Sequence, residues 1–160
     1  MIKDSQAPPL SDLDRAILTE LQTDGRVSNV QLARRVHLSP PATHARHKRL
    51  EKDGYIRQYG ATLDREKVGY DLLCFIHVSL HLHQLDQVEK FRHAIRKFPE
   101  VLECHHITGE YDYLLKVVLR NRKDLERFVV DRLTPLLGMG RIHTSLVLSE
   151  VKSTTALPLK

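Results

Sequence analysis

The stretch VSNVQLARRVHLSPPATHARHKRLEKDG, residues 27–54, reads as two short helices joined by a tight turn, and the rest of the chain is organised around it. Ser28 or Asn29 can cap the first helix and Ser39 the second, because a short side-chain oxygen accepts from backbone N–H groups that lack an intrahelical partner. Pro40 and Pro41 follow in the first turn, where a missing N–H costs little and a fixed φ favours entry. Gly54 closes the unit as a C-cap candidate. Leu32, Ala33 and Val36 form the buried side of the first helix, and Leu38 plugs the turn.

Charge is concentrated in the same place. Residues 26–57 carry eight Lys/Arg (Arg26, Arg34, Arg35, Arg46, Lys48, Arg49, Lys52, Arg57) against Glu51 and Asp53, whereas the whole chain of 160 residues has a net charge of only +5. A small basic helix pair is the electrostatic footprint of a DNA-binding element, since each neutralised phosphate releases condensed counterions. A solvated helix face would show the same charge, and the capped spacing favours the DNA reading. Along the second helix, spacing turns Thr43, His47 and Leu50 inward and Pro41, His44, Ala45, Lys48 and Arg49 outward, with Arg46 flanking. The candidate DNA contacts are Arg34, Ser39, Pro41, Thr43, His44, Arg46, Lys48 and Arg49. Of these, His44 and Arg46 are suited to base edges, and Arg34, Lys48 and Arg49 to phosphates. His47 reads as a satisfied interior histidine.

Upstream, residues 1–10 read as a flexible arm. Ser11 and Asp14 make a capping pair, and Leu13, Ile17, Leu18 and Leu21 form one stripe of a helix over residues 12–23 that stops at Asp24 and Gly25. Residues 11–63 then form a winged helix-turn-helix head, with a strand or wing after Gly54, and residues 64–70 form a linker.

Periodicity changes over residues 71–152. Cys74, Ile76, Val78, Leu80 and Leu82 alternate with Phe75, His77, Ser79, His81 and His83, which predicts a strand. A helix follows, with Val88, Phe91, Ile95 and Phe98 on one side and Pro99 as its stop. Residues 101–108 and 111–120 predict two strands around Gly109 and Glu110. Asn121 caps a helix burying Leu125, Phe128, Val129, Leu133 and Leu136, and residues 142–151 form a last strand. The order βαββαβ predicts an α+β domain of ferredoxin-like topology, an antiparallel sheet with both helices on one face. Its uncovered face suggests contact with a second subunit. Residues 153–160 are a tail.

Several classes are disfavoured. Cys74 and Cys104 lie in apolar runs without metal-ligand spacing and read as buried thiols of a reducing, cytoplasmic compartment. No run approaches the ~20 apolar residues of a membrane span. No nucleophile elbow, P-loop or dinucleotide fingerprint appears, so no enzyme and no cofactor is expected. A zinc site built from His77, His81 and His83 with His105 or His106 is the strongest enzymatic alternative, and it lacks any accompanying ligand motif.

Four stretches, LDRAILTELQTDGR (13–26), LARRVHLSPPATHARHKRLEKDGYI (32–56), TGEYDYLLKV (108–117) and HTSLVLSEVK (143–152), resemble the Lrp/AsnC group of feast-famine transcriptional regulators. The tail TTALPL looks like one branch of that group. The resemblance implies a cytoplasmic, nucleoid-associated regulator that binds double-stranded DNA, responds to a small amino-acid effector and assembles into homodimers and octamers. It places the effector near Gly109, Tyr111 and Asp112, with Thr144 and Ser145 as further lining. Physically, Asp112 can pair with an ammonium group and a turn can hold a carboxylate. Equally, Gly109 can simply make the turn while Asp112 caps it. The chain departs from the group's pattern at His47, where an aliphatic residue is usual, which raises a pH-sensitive head as a hypothesis. An architectural DNA-binding protein without a ligand is the competing function.

Overall fold

The computed structural model describes residues 9–81, 85–136 and 138–159. The chain divides into two compact units, one built from residues up to Thr62 together with Ser153 onward, the other from Leu63–Lys152.

The first unit, the head, holds α1 (Asp12–Thr23), α2 (Asn29–Arg35) and α3 (Pro40–Lys52). Its starts follow local chemistry. Ser11 and Asp14 form a reciprocal capping box on α1, Ser28 and Gln31 form another on α2, and the Ser39 hydroxyl accepts from Ala42 N–H ahead of Pro40 and Pro41. Ile17, Leu18, Leu21, Leu32, Val36 and Leu50 make one buried cluster, with Leu10, Val27, Leu38, Tyr55, Ile56 and Leu159 packed against it. Asn29 Nδ2 donates to the Pro40 carbonyl at 2.9 Å, bracing the start of α2 against the first turn of α3.

The turn between α2 and α3 carries the head's one left-handed non-glycine among the described residues, His37 at φ +55°. An L-side chain there crowds the following carbonyl, although histidine tolerates the conformation better than a branched residue. His37→Gly is therefore expected to stabilise the head by about 0.5–1 kcal/mol, because relief of that crowding exceeds the entropy that glycine adds to the unfolded chain. A higher urea midpoint for the head checks this, and a lower one would show that the imidazole makes compensating contacts.

The expected wing does not form as a strand. Residues 55–71 contain no regular strand, having no partner ladder to satisfy one, and Tyr59 instead returns to α3.

The second unit is a four-stranded antiparallel sheet of β1 (Leu72–Leu80), β2 (Val101–His106), β3 (Tyr113–Leu119) and β4 (Met139–Leu146), in the order β2-β3-β1-β4. Helix α4 (Leu85–Ile95) precedes β2, and α5 (Arg122–Arg127) runs on into a π-helical segment, Phe128–Leu133. Cys74, Ile76, Val78 and Leu80 of β1 and Tyr113, Leu115, Val117 and Leu119 of β3 pack with Phe91, Ile95, Phe128 and Leu133. All eight strand residues share one face by alternation, so both helices lie on that face, giving the α+β split-βαβ architecture.

Three expectations need correction here. β4 ends at Leu146, not at residue 151, because it pairs with β1 through Cys74↔Leu146 and β1 itself begins at Leu72. Cys104 is exposed, since β2 is an edge strand, and only Cys74 is buried, where burial pushes its thiol up to about 11. The tail residues group with the head and do not stand apart. The expected arm over residues 1–10 falls mainly outside the described residues, as do Leu82 and His83.

Candidate DNA-binding and effector sites

In the head, a buried acid organises two arginines of α3. Asp14 is 1% exposed, and its Oδ2 accepts from the Ser11 hydroxyl at 2.6 Å and the Ser11 N–H at 3.0 Å. Its Oδ1 lies 3.2 Å from Arg46 Nη1 and 2.6 Å from Arg49 Nη2. Burial raises the Asp14 carboxyl, but the Ser11 hydrogen bonds and the Arg49 guanidinium outweigh it and bring it down to about 2. Arg46 is consequently turned toward α1, with its side chain only 33% exposed, and is not presented for base reading. Arg49 is shared between Asp14 and solvent.

The remaining candidates sort by exposure. Thr43 is fully buried and its hydroxyl donates to the Ser39 carbonyl one turn back, so it is a core residue and not a DNA contact. Lys48 pairs with Glu51 at 2.9 Å and holds that carboxyl below the usual range. Arg34, Pro41 and His44 are exposed, and Arg34 and His44 make no ion pair or side-chain hydrogen bond among the described residues. Ser39 is exposed while capping α3. Arg57 and Lys52, which charge counting alone had included, are exposed as well.

His47 is partly exposed and not interior. Its Nε2 lies 2.5 Å from the Tyr59 hydroxyl and 3.5 Å from Glu51 Oε1, and Tyr59 also donates to Glu51 at 3.3 Å. The Tyr59 anchor is the signal that the sequence hid, because it joins α3 to a segment without regular structure.

In the second unit, the loop from residue 107 to 112 is closed by Asp112. Ile107 N–H donates to the Asp112 carbonyl at 2.9 Å, Asp112 N–H to the Val78 carbonyl at 2.9 Å, and Asp112 Oδ2 accepts from Leu80 N–H at 2.7 Å. One carboxylate oxygen therefore caps the end of β1, the structural role that the sequence left open. Gly109 sits at φ +117°, a conformation that excludes other residues although the space beside it is open.

Tyr111 leans over the sheet face opposite the helices. Its ring lies 5.1 Å from His77 and 6.2 Å from His143, with the Arg141 guanidinium 6.0 Å away. Arg141 also pairs with Glu110, and its N–H donates to Ser79 Oγ at 3.1 Å. His77, Arg141 and His143 are thus brought to the turn by strand register, which sequence spacing did not indicate. Thr144 and Ser145 cannot both line one site. Thr144 pairs with Ile76 on the helix side, whereas Ser145 pairs with Phe75 on the open side, its Oγ 3.4 Å from His143 Nε2.

Of the zinc candidates, His83 lies outside the described residues. His105 shares the face of His77 through Leu114 but binds Glu103 at 2.9 Å, and His106 stacks on Tyr113 on the other side of the sheet. Among the described residues no three His, Cys, Asp or Glu side chains converge on a metal position. No helix of the described chain is long and apolar enough to cross a membrane.

A capped basic helix-turn-helix followed by a βαββαβ domain with a structured turn at its sheet edge defines a two-part DNA-binding regulator. Family comparison gives the same division: residues 10–57 match a winged helix-turn-helix DNA-binding model, and residues 73–157 match the Lrp/AsnC ligand binding domain. The chain belongs to the Lrp/AsnC family of transcription regulators. It is 39% identical to the leucine-responsive regulatory proteins of Klebsiella pneumoniae and Escherichia coli K12 over 160 residues, covering 98% of each chain. Among solved structures it resembles a transcriptional regulator of Neisseria meningitidis in complex with L-Met, with 43% identity, a TM-score of 0.91 and coverage of 94% and 97% of the two chains. An AsnC family regulator from Agrobacterium tumefaciens gives 31% identity and a TM-score of 0.89 over the same shares.

Proposed function

We propose that this regulator recognises specific DNA sequences through α3 and changes its DNA binding in response to a free amino acid. The observation that carries the effector reading is the likeness to the neisserial L-Met complex along nearly the whole chain, together with the Tyr111, Arg141 and Glu110 cluster at the Gly109 turn. Arg141 supplies a guanidinium for a carboxylate and Tyr111 an aromatic wall, while Asp112 holds the turn in place. Gly109, Tyr111 and Ser145 complete the lining on the open face. That face, with Phe75, His77 and His143, is offered to a second copy, and homodimers and larger assemblies bring paired heads to successive major-groove segments.

Fluorescence anisotropy on DNA from upstream of the protein's own gene, against unrelated DNA and with a panel of amino acids, tests this reading. A preference for the upstream DNA that shifts with one amino acid supports it. Equal, steeply salt-dependent binding to both, unaffected by any amino acid, overturns it in favour of an architectural DNA-binding protein. In the same assay, Arg34→Ala is expected to weaken binding similarly on both DNAs and lower the log–log salt slope by about 0.9, the loss of one phosphate contact. An unchanged slope would remove Arg34 from the interface.

A further inference from the structure

The tail meets α1 through a two-point contact on a polypeptide backbone. Gln22 Nε2 donates to the Leu157 carbonyl at 3.1 Å, and Gln22 Oε1 accepts from Leu157 N–H at 2.6 Å. This carboxamide reads both backbone groups of one residue in an extended segment, as a neighbouring strand would. Two residues on, Leu159 packs against the head's buried cluster. Pro158 between them lacks an N–H and has a restricted φ, which keeps the segment from folding back into helix or sheet. Within the second unit, Arg65 Nε lies 3.5 Å from Glu150 Oε2, and its Nη1 donates to the carbonyls of Tyr70 and Asp71 at 2.9 and 2.8 Å.

We propose that α1 carries a docking surface for an extended Leu-Pro-Leu peptide and that its occupant is this chain's own tail, residues 153–159. The head is then tied to the ligand-binding unit by two covalent connections, the linker at residues 62–63 and the tail at residues 152–153, with Gln22 as the latch of the second. This surface is separate from α3 and from the Gly109 turn, and it does not depend on the identity of any effector.

Hydrogen exchange of the full chain, of a chain ending at Val151 and of full-length Gln22→Ala tests the assignment, with β1 amides as the internal reference. Both variants are expected to exchange about tenfold faster across α1, since each loses the two Gln22 hydrogen bonds to the tail, while β1 is unchanged. A synthetic peptide of residues 152–160 is expected to restore α1 protection in the truncated chain. Parental α1 protection in Gln22→Ala would overturn the latch, and that variant decides the matter if truncation also unsettles β1. Failure of the peptide to restore protection while β1 stays protected would overturn the docking surface.

Discussion

Asp14→Ala is expected to destabilise the head by about 3 kcal/mol, a large share of the total available to a unit of this size. The substitution removes the acceptor of the Ser11 capping box and leaves the Arg46 and Arg49 guanidinium groups without their shared partner. The pH dependence has a definite sign. A carboxyl held at about 2 in the folded head, against its ordinary value of 3.8, adds stability that is fully present above pH ~4 and is lost as pH falls toward 2. That contribution is about 2 kcal/mol. Urea unfolding followed by circular dichroism between pH 2 and 7 should show it in the parent and not in Asp14→Asn. An acid profile of the head identical in parent and variant would sink this account.

Phe91→Ala is expected to cost the ligand-binding unit about 3–5 kcal/mol, the range for truncating a fully buried aromatic ring. The ring is 1% exposed and lies 4.7 Å from Tyr113, whose hydroxyl accepts from Arg92 Nε at 3.1 Å and whose ring stacks on His106. Loss of Phe91 opens a cavity between α4 and the middle of the sheet. Because the two units have separate cores, unfolding is expected to resolve into two transitions. Phe91→Ala should lower one and Asp14→Ala the other. Differential scanning calorimetry separates these outcomes, and a single transition shifted by both variants would mean that the cores unfold together.

What the sequence disclosed was local. The Ser11–Asp14 box, the Ser39 cap before two prolines and the apolar stripes of α1 and α4 depend on residues within a turn or two of each other, and each appears where the pattern put it except that Leu13 of the α1 stripe is exposed. Both helix-turn-helix and βαββαβ orders were legible for the same reason. Side-chain destinations were not. Arg46 has the type and position of a base reader, and only the crossing of α1 and α3 turns it toward Asp14. Adjacent residues such as Thr144 and Ser145 look equivalent in a list, but the strand's pleat sends them to opposite faces. Cys104 reads as buried from its apolar neighbours, yet strand order leaves β2 at the edge. Tyr59 lies in a segment without periodicity, so nothing in its spacing announced the contact with His47.

The return of Leu157 and Leu159 to α1 bears on how the protein is made. Residues up to 62 leave the ribosome roughly ninety residues before the tail does, an interval on the order of ten seconds at ordinary elongation rates. During that time the head must hold its three helices with the α1 surface open to whatever extended chain is nearby, including the tail of a finished molecule. Exchange of tails between neighbours on one message therefore competes with closure within each chain.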